Sequence, residues 1–326
     1  MLPENISLEN ARGCSAADTA KSETATVQPN LVILGPPKAG TSSLYYWLSA
    51  HPSICAAKHK EPFFLMDQDN PLLGTPNIHE DGAKAYASIF PDRAGDFPVR
   101  MEATTHYLFQ KTALDYLGAL DDIRVCVVLR DPAERVLSSF NYTKHNLGVL
   151  RKDFSFEAYL DCLKNGLPLY PEYCSNKSSA FVLERDFEYS RYMRHLRPWI
   201  ERLGRDCVEI ILFEDLRDRP GELLRDLTER LGLPPLDSDA PSKTVYNRTQ
   251  SIRLQAVHRA ARTINTHIRL PPGLKSLLKR SYFTLQNQSR REDHGAALLK
   301  LRRDYDEEIT ALENFLERSL SIWRAT

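Results

Sequence analysis

Along the chain, short runs without polar residues alternate with stretches whose apolar residues recur every three or four positions. Leu31-Val32-Ile33-Leu34 is wholly apolar, as a strand buried on both faces of a parallel sheet should be. After a loop over residues 35–40, Leu44, Trp47 and Leu48 share one face, which predicts a helix from about Thr41 that ends before Pro52. Residues 98–103 read as a second strand. Residues 123–129 read as the strongest strand, because Val125-Cys126-Val127-Val128-Leu129 is apolar without a break. A helix follows at once: Asp131 suits its N-cap, Pro132 its first position, and Glu134 completes a capping box. Residues 208–213 form a further strand. Pro220 opens another helix, with Leu224, Leu227 and Leu231 at helical spacing and Gly232 at its end. Met193, Leu196, Ile200 and Leu203 mark one more helix, and Tyr305, Ile309, Leu312 and Leu316 mark the last. Residues 67–98 are rich in Pro, Gly, Asp and Asn and read as irregular surface. Residues 148–185 read as an insertion of short helices and turns that walls a pocket. Strands alternating with helices predict an α/β fold, with a central, mostly parallel sheet and helices on both faces.

Composition narrows the functional classes. Hydrophobic residues make up 42% of the 326, enough for the core of one sizeable domain. The 43 basic and 43 acidic residues cancel, so overall charge offers no footing for nucleic acid or an anionic membrane. The six cysteines form no CxxC and, with the histidines, no zinc-site spacing. Cys126 and Cys207 read as core thiols. Cys162 and Cys174 are candidates for a disulfide, although a reducing compartment is expected. Residues 1–28 are polar and read as a flexible lead-in, leaving 29–326 as one domain. With no long apolar stretch, a soluble cytoplasmic protein without a transmembrane anchor is expected.

Two segments carry chemistry. Gly35-Pro36-Pro37-Lys38-Ala39-Gly40-Thr41-Ser42-Ser43 joins a buried strand to a helix. There, unpaired N–H groups and the helix dipole favour an anion. A nucleotide kinase would place Lys directly before the Thr, where Gly40 stands; here the Lys lies three residues before Thr41. The second segment is Arg130-Asp131-Pro132-Ala133-Glu134-Arg135-Val136-Leu137-Ser138-Ser139-Phe140. Its Arg130 ends a strand and its Ser138 lies two turns into a helix, so both can reach one phosphate. Taken singly, an ordinary Gly/Pro turn and a well-capped helix would account for each segment.

Together they resemble the sulfotransferases that use 3'-phosphoadenosine-5'-phosphosulfate (PAPS), especially the bacterial and heparan-sulfate-type branch. His51-Pro52, Glu61-Pro62-Phe63-Phe64, Glu102-Ala103-Thr104, Phe213-Glu214-Asp215-Leu216 and Leu320-Ser321-Ile322-Trp323 extend the resemblance from about residue 30 to the end. It implies a P-loop NTPase-like three-layer fold. It implies that Lys38 meets charge developing on the bridging oxygen of the donor. Pro37, Lys38, Ala39, Gly40, Thr41, Ser42 and Ser43 would hold the 5'-phosphate. Arg130 and Ser138 would hold the 3'-phosphate, Phe213 would lie near the adenine, and Arg248 and Arg253 would fall in a basic loop over the nucleotide. No metal is required by this chemistry. The acceptor would be a small metabolite, glycolipid or carbohydrate, and its identity and the oligomeric state stay open.

Two residues compete as the base. Glu61 matches the carboxylate of the heparan-sulfate-type branch, and His106 resembles the His of cytosolic small-molecule enzymes. Glu61 is preferred, because the flanking Phe63 and Phe64 are expected to desolvate it and raise its pKa. Rival readings are a P-loop nucleotide kinase or NTPase, a nucleotide binder that has lost catalysis, and a partner-binding module built on residues 148–185.

Overall fold

The computed structural model describes residues 27–236 and 293–324. The lead-in, apart from its last two residues, and Arg248 and Arg253 lie outside these residues. The apolar runs become β1 (Leu31–Gly35), β3 (Val99–Ala103), β4 (Arg124–Leu129) and β5 (Val208–Leu212). A short strand that the sequence did not announce, β2 (Ile54–Ala56), completes a five-stranded, wholly parallel sheet in the order β2-β3-β1-β4-β5.

Side chains alternate across this sheet and feed two cores. Val32, Leu34, Val125, Val127 and Leu129 point to one face. They meet Ala113 and Leu117 of α3 (Lys111–Leu117), Val136 of α4 (Pro132–Asn141), Leu196 of α8 (Tyr192–Leu203) and Leu312 of α12 (Asp306–Leu316). Leu31, Ile33, Cys126 and Val128 point to the other face. There they meet Leu44 and Leu48 of α1 (Thr41–Leu48), Leu216 of α9 (Phe213–Asp218), and Leu224 and Leu227 of α10 (Pro220–Arg230). This is the expected three-layer α/β architecture.

Several expectations change in detail. Residues 67–98 contain α2 (Ile78–Tyr86), capped by Asn77, which accepts from the N–H groups of His79 and Glu80. Gly82 breaks its helical backbone, so no clean period shows in the sequence, yet Tyr86 and Phe90 behind it are fully buried. The insertion holds α5 (Phe156–Lys164), α6 (Lys177–Leu183) and α7 (Asp186–Tyr189). Asp131 caps α4 as expected, accepting from the N–H groups of Ala133 and Glu134. The Glu134 carboxylate faces Arg130 at 3.4 Å and Arg302 of α11 (Gly295–Asp304) at 3.6 Å. Cys126 is a core thiol, but Cys207 is half-exposed, because it ends a 3-10 turn ahead of β5 rather than lying in the strand. Cys162 and Cys174 are buried free thiols and do not pair. Among the described residues no helix is long and apolar enough to cross a membrane.

Candidate active site

Because every strand runs the same way, all five carboxyl ends open onto one edge of the sheet, where α/β sheets bind ligands. β1 delivers the loop 36–40, β2 leads to Glu61, β3 ends beside Thr105 and His106, β4 releases Arg130, and β5 runs into Phe213. These groups line one cleft of about 700 Å³.

The loop is shaped by two glycines. Gly35 (φ +120°) passes so close to β3 that a Cβ would stand 1.9 Å from the Thr105 carbonyl oxygen. Gly40 (φ +101°) lies under the Phe213 ring, 3.0 Å from where its Cβ would be. Neither backbone angle suits another residue. Lys38 itself adopts φ +71°. Arg130 Nη1 donates to the Lys38 carbonyl at 3.2 Å, and its guanidinium lies 4.8 Å from the centre of the Phe213 ring. The Lys38 ammonium sits 3.6 Å from the centre of the Tyr142 ring. Burial, followed by the Arg130 charge, brings the Lys38 pKa down to about 8. Thr41, Ser42 and Ser43, in the first turn of α1, line the cleft with Pro37, Lys38 and Gly40. Ala39 is packed in the core and offers only its backbone. Ser138 lines the cleft from α4.

Glu61 and His106 face the same space. Glu61 adopts φ +62°, and its N–H donates to the Ala103 carbonyl at 2.8 Å. Its Oε1 accepts from Lys60 Nζ at 2.7 Å and from Thr105 Oγ1 at 3.0 Å. Burial works against its charge, but Lys60, His106 and Thr105 outweigh it and hold the carboxyl below the usual range. The expected rise of its pKa is therefore overturned. Phe63 does line the cleft, but Phe64 turns into the core and stacks on Tyr86, with ring centres 4.7 Å apart. His106 packs among Phe63, Phe109 and Tyr189, and burial brings its pKa down to about 4.

Sequence reasoning thus brings Lys38, Glu61, His106, Arg130, Ser138 and Phe213 to one place. It missed the part of Thr105, which holds Glu61 together with Lys60, and the seat that the Tyr142 ring gives Lys38. The run Thr104-Thr105-His106 was the available signal for the first. Of the aromatic residues near these segments, Phe63, His106 and Tyr142 line the cleft. Tyr45, Phe64 and Tyr107 are buried in the core instead, and Tyr46 is exposed. Among the described residues no group of three or more His, Cys, Asp or Glu is placed to hold a metal ion.

The chain is 23% identical over 225 residues to the human bifunctional heparan sulfate N-deacetylase/N-sulfotransferase 2, covering 66% of this chain and 23% of that protein. It is 26% identical over 230 residues to the Caenorhabditis briggsae bifunctional heparan sulfate N-deacetylase/N-sulfotransferase 1, covering 68% and 25%. It is 24% identical over 215 residues to the mouse heparan sulfate glucosamine 3-O-sulfotransferase 3A1, covering 65% and 47%. The chain therefore spans about a quarter to a half of the length of these relatives. A sulfotransferase from Alicyclobacillus acidocaldarius shares its fold, with a TM-score of 0.59, 21% identity, and 91% of this chain and 99% of that one covered. The sulfotransferase domain family model matches residues 28–280, and the chain belongs to that family.

Proposed function

We propose that this protein moves a sulfuryl group from PAPS to a hydroxyl or amine of a small metabolite, glycolipid or carbohydrate. The observation that carries this reading is the pairing of Lys38 with Arg130 over a helix start that has Gly40, not Lys, before its Thr. That pairing does not suit a P-loop kinase. The site fits an anionic adenine nucleotide. Two cations meet at the cleft, Gly40 leaves a cradle that a Cβ would crowd, and Phe213 offers an aromatic wall.

The donor supplies an electrophilic sulfur on a phosphate leaving group. The backbone of Ala39, Gly40 and Thr41, with the hydroxyls of Thr41, Ser42 and Ser43, holds its 5'-phosphate. Arg130 and Ser138 hold the 3'-phosphate and select PAPS over ATP. Phe213 packs against the adenine. Lys38 stabilises charge that develops on the leaving oxygen. Glu61, kept ionised by Lys60 and Thr105, accepts the acceptor's proton, and His106 borders the same position. Residues 29–326 act as one domain, since apolar residues from Val32 to Trp323 share a core. Free thiols fit a reducing, cytoplasmic setting. The heparan sulfate relatives support a carbohydrate as one acceptor class.

Isothermal titration with 3'-phosphoadenosine-5'-phosphate (PAP) and with ATP tests the donor. Much tighter binding of PAP, erased by Arg130→Ala, is expected. Equal or better binding of ATP would reject PAPS as the donor. Glu61→Gln is expected to abolish turnover while sparing PAP binding. Near-normal turnover there, with loss in His106→Ala, would move the base to His106.

A further inference from the structure

Among the described residues, the cleft gathers its cations at one end, and the other end is largely apolar. Its lining cations are Lys38, Arg130 and Arg217, all at the loop, β4 or α9, where the nucleotide is placed above. The opposite arm is built by three segments. The first is the stretch after Glu61: Phe63 accepts at its carbonyl from the Gly74 N–H at 3.0 Å, which folds Leu72 back over the cleft. The second is the N-terminal part of α6, where Ser178 Oγ donates to the Pro71 carbonyl at 3.1 Å and so seals α6 against that stretch. The third is the turn after α4, which supplies Leu147.

Among the described residues, this arm presents Phe63, Leu72, Leu147 and Val182 as apolar surface, with the Asn176 and Ser179 side chains as uncharged polar groups. Its one charged group is Glu61, already paired with Lys60. The cations of the same segments do not line it. Lys144 is buried and donates to the Phe154 carbonyl at 3.0 Å. Arg185 lies 3.4 Å from the centre of the Phe181 ring and donates to the Phe181 carbonyl. Lys177 is exposed and stands outside the lining. A carboxylate or sulfate on the acceptor would lose water here, gain no cation from the described residues of this arm, and face Glu61.

We propose that the acceptor is an uncharged alcohol with an apolar body, and that sugar chains bearing uronates or sulfates are poor acceptors. This rests on the sulfotransferase reading above. Phe63, Leu72, Leu147 and Val182 pack the apolar body, and Asn176 and Ser179 meet its uncharged polar groups.

The test is titration of the full chain, first with PAP and then, saturated with PAP, with three probes. They are octyl β-glucoside below its micelle-forming concentration, methyl β-glucoside, and a heparosan hexasaccharide. Octyl glucoside is expected to bind at least about tenfold more tightly than methyl glucoside, the gain from burying two methylenes. The hexasaccharide is expected to bind at least about tenfold more weakly than octyl glucoside, because its uronates find no partner. Val182→Lys, at a half-buried position in the last turn of α6 that faces the cleft, is expected to weaken octyl glucoside and strengthen the hexasaccharide. With PAP bound, an octyl chain that adds nothing, or a hexasaccharide that binds as tightly as octyl glucoside, overturns the acceptor proposal alone. Failure to bind PAP overturns the sulfotransferase reading, and the acceptor proposal with it.

Discussion

Glu102 makes a quantitative test of how this cleft is built. It lies on β3 opposite Val32 and is fully buried, three residues before Thr105, which borders the site with His106. Tyr86 donates its hydroxyl to Oε2 at 2.7 Å, and Thr104 donates to Oε1 at 2.5 Å. Two donors do not repay the loss of water. Burial raises the carboxyl from 4.5 to about 7, against those hydrogen bonds and the more distant charge of Lys60. In the unfolded chain the group ionises near 4.5, while in the folded chain it keeps its proton until about pH 7. The folded state therefore binds more protons between these values, and stability falls as pH rises through them. The rise corresponds to about 3 kcal/mol at 1.36 kcal/mol per unit of pKa, fully expressed above pH 7 and absent below about 4.5. Glu102→Gln keeps the shape and an acceptor for Thr104 but cannot ionise. Urea unfolding at a series of pH values from 4.5 to 8.5 should show the variant gaining about 3 kcal/mol on the wild type across that range. Because the two proteins share every other titrating group, only the difference matters. Parallel stability curves would refute the reasoning and show that Glu102 is ionised when buried.

Other consequences follow from the same geometry. Since Lys38 loses its proton near pH 8 in the free enzyme, kcat/KM should fall as pH rises through about 8, and Lys38→Met should cost roughly 10²–10³-fold in kcat and weaken PAP binding. Stopped assays over a pH series read both effects. Glu61 is held ionised and His106 neutral near pH 7, so kcat/KM should be flat from pH 5.5 to 7.5; an acid limb near pH 6.5 would contradict both environments. Gly40→Ala forces a side chain onto φ +101° beneath Phe213, at a cost of about 1–3 kcal/mol, and should weaken PAP binding in titration. Asp186→Asn strands the buried Arg135 guanidinium, which it meets at 3.0 Å with both side chains fully inaccessible. It should lower stability by about 3–5 kcal/mol in thermal unfolding.

The sheet and both anion-facing segments were legible because punctuation and pattern coincide there. Leu31–Gly35 and Arg124–Leu129 are unbroken apolar runs, and each is followed within a few residues by a helix start with a recognisable first turn. β2 was not legible, since Ile54–Ala56 is three residues long and exists because β3 offers it an edge. α2 was hidden by Gly82, whose positive φ (+69°) interrupts the period. The environment of Glu61 was out of reach for a different reason. In an extended chain Lys60 and Glu61 would point to opposite sides. The positive φ at Glu61 turns the chain so that these neighbours meet, and that pairing reverses the pKa expected from Phe63 and Phe64. Sequence adjacency gave the charges but not their direction.

The two cations of the loop end explain why donor binding and chemistry are coupled. Lys38 and Arg130 are fixed together by the bond from one guanidinium to the other's carbonyl, and their like charges help to hold Lys38 near 8. Among the described residues the carboxylate within ion-pair distance of Arg130 is Glu134, at 3.4 Å, and Lys38 rests on the Tyr142 ring. Under the proposed function, an anion entering between these cations reverses the balance. It attracts both, offsets the burial and the Arg130 repulsion that lower Lys38, and makes the protonated amine the stable form above pH 8. The alkaline limb of kcat, which reports the bound enzyme, should therefore lie at higher pH than that of kcat/KM, which reports the free enzyme. The lysine is least certain of its proton in the empty cleft, and the donor that needs the charge is what secures it.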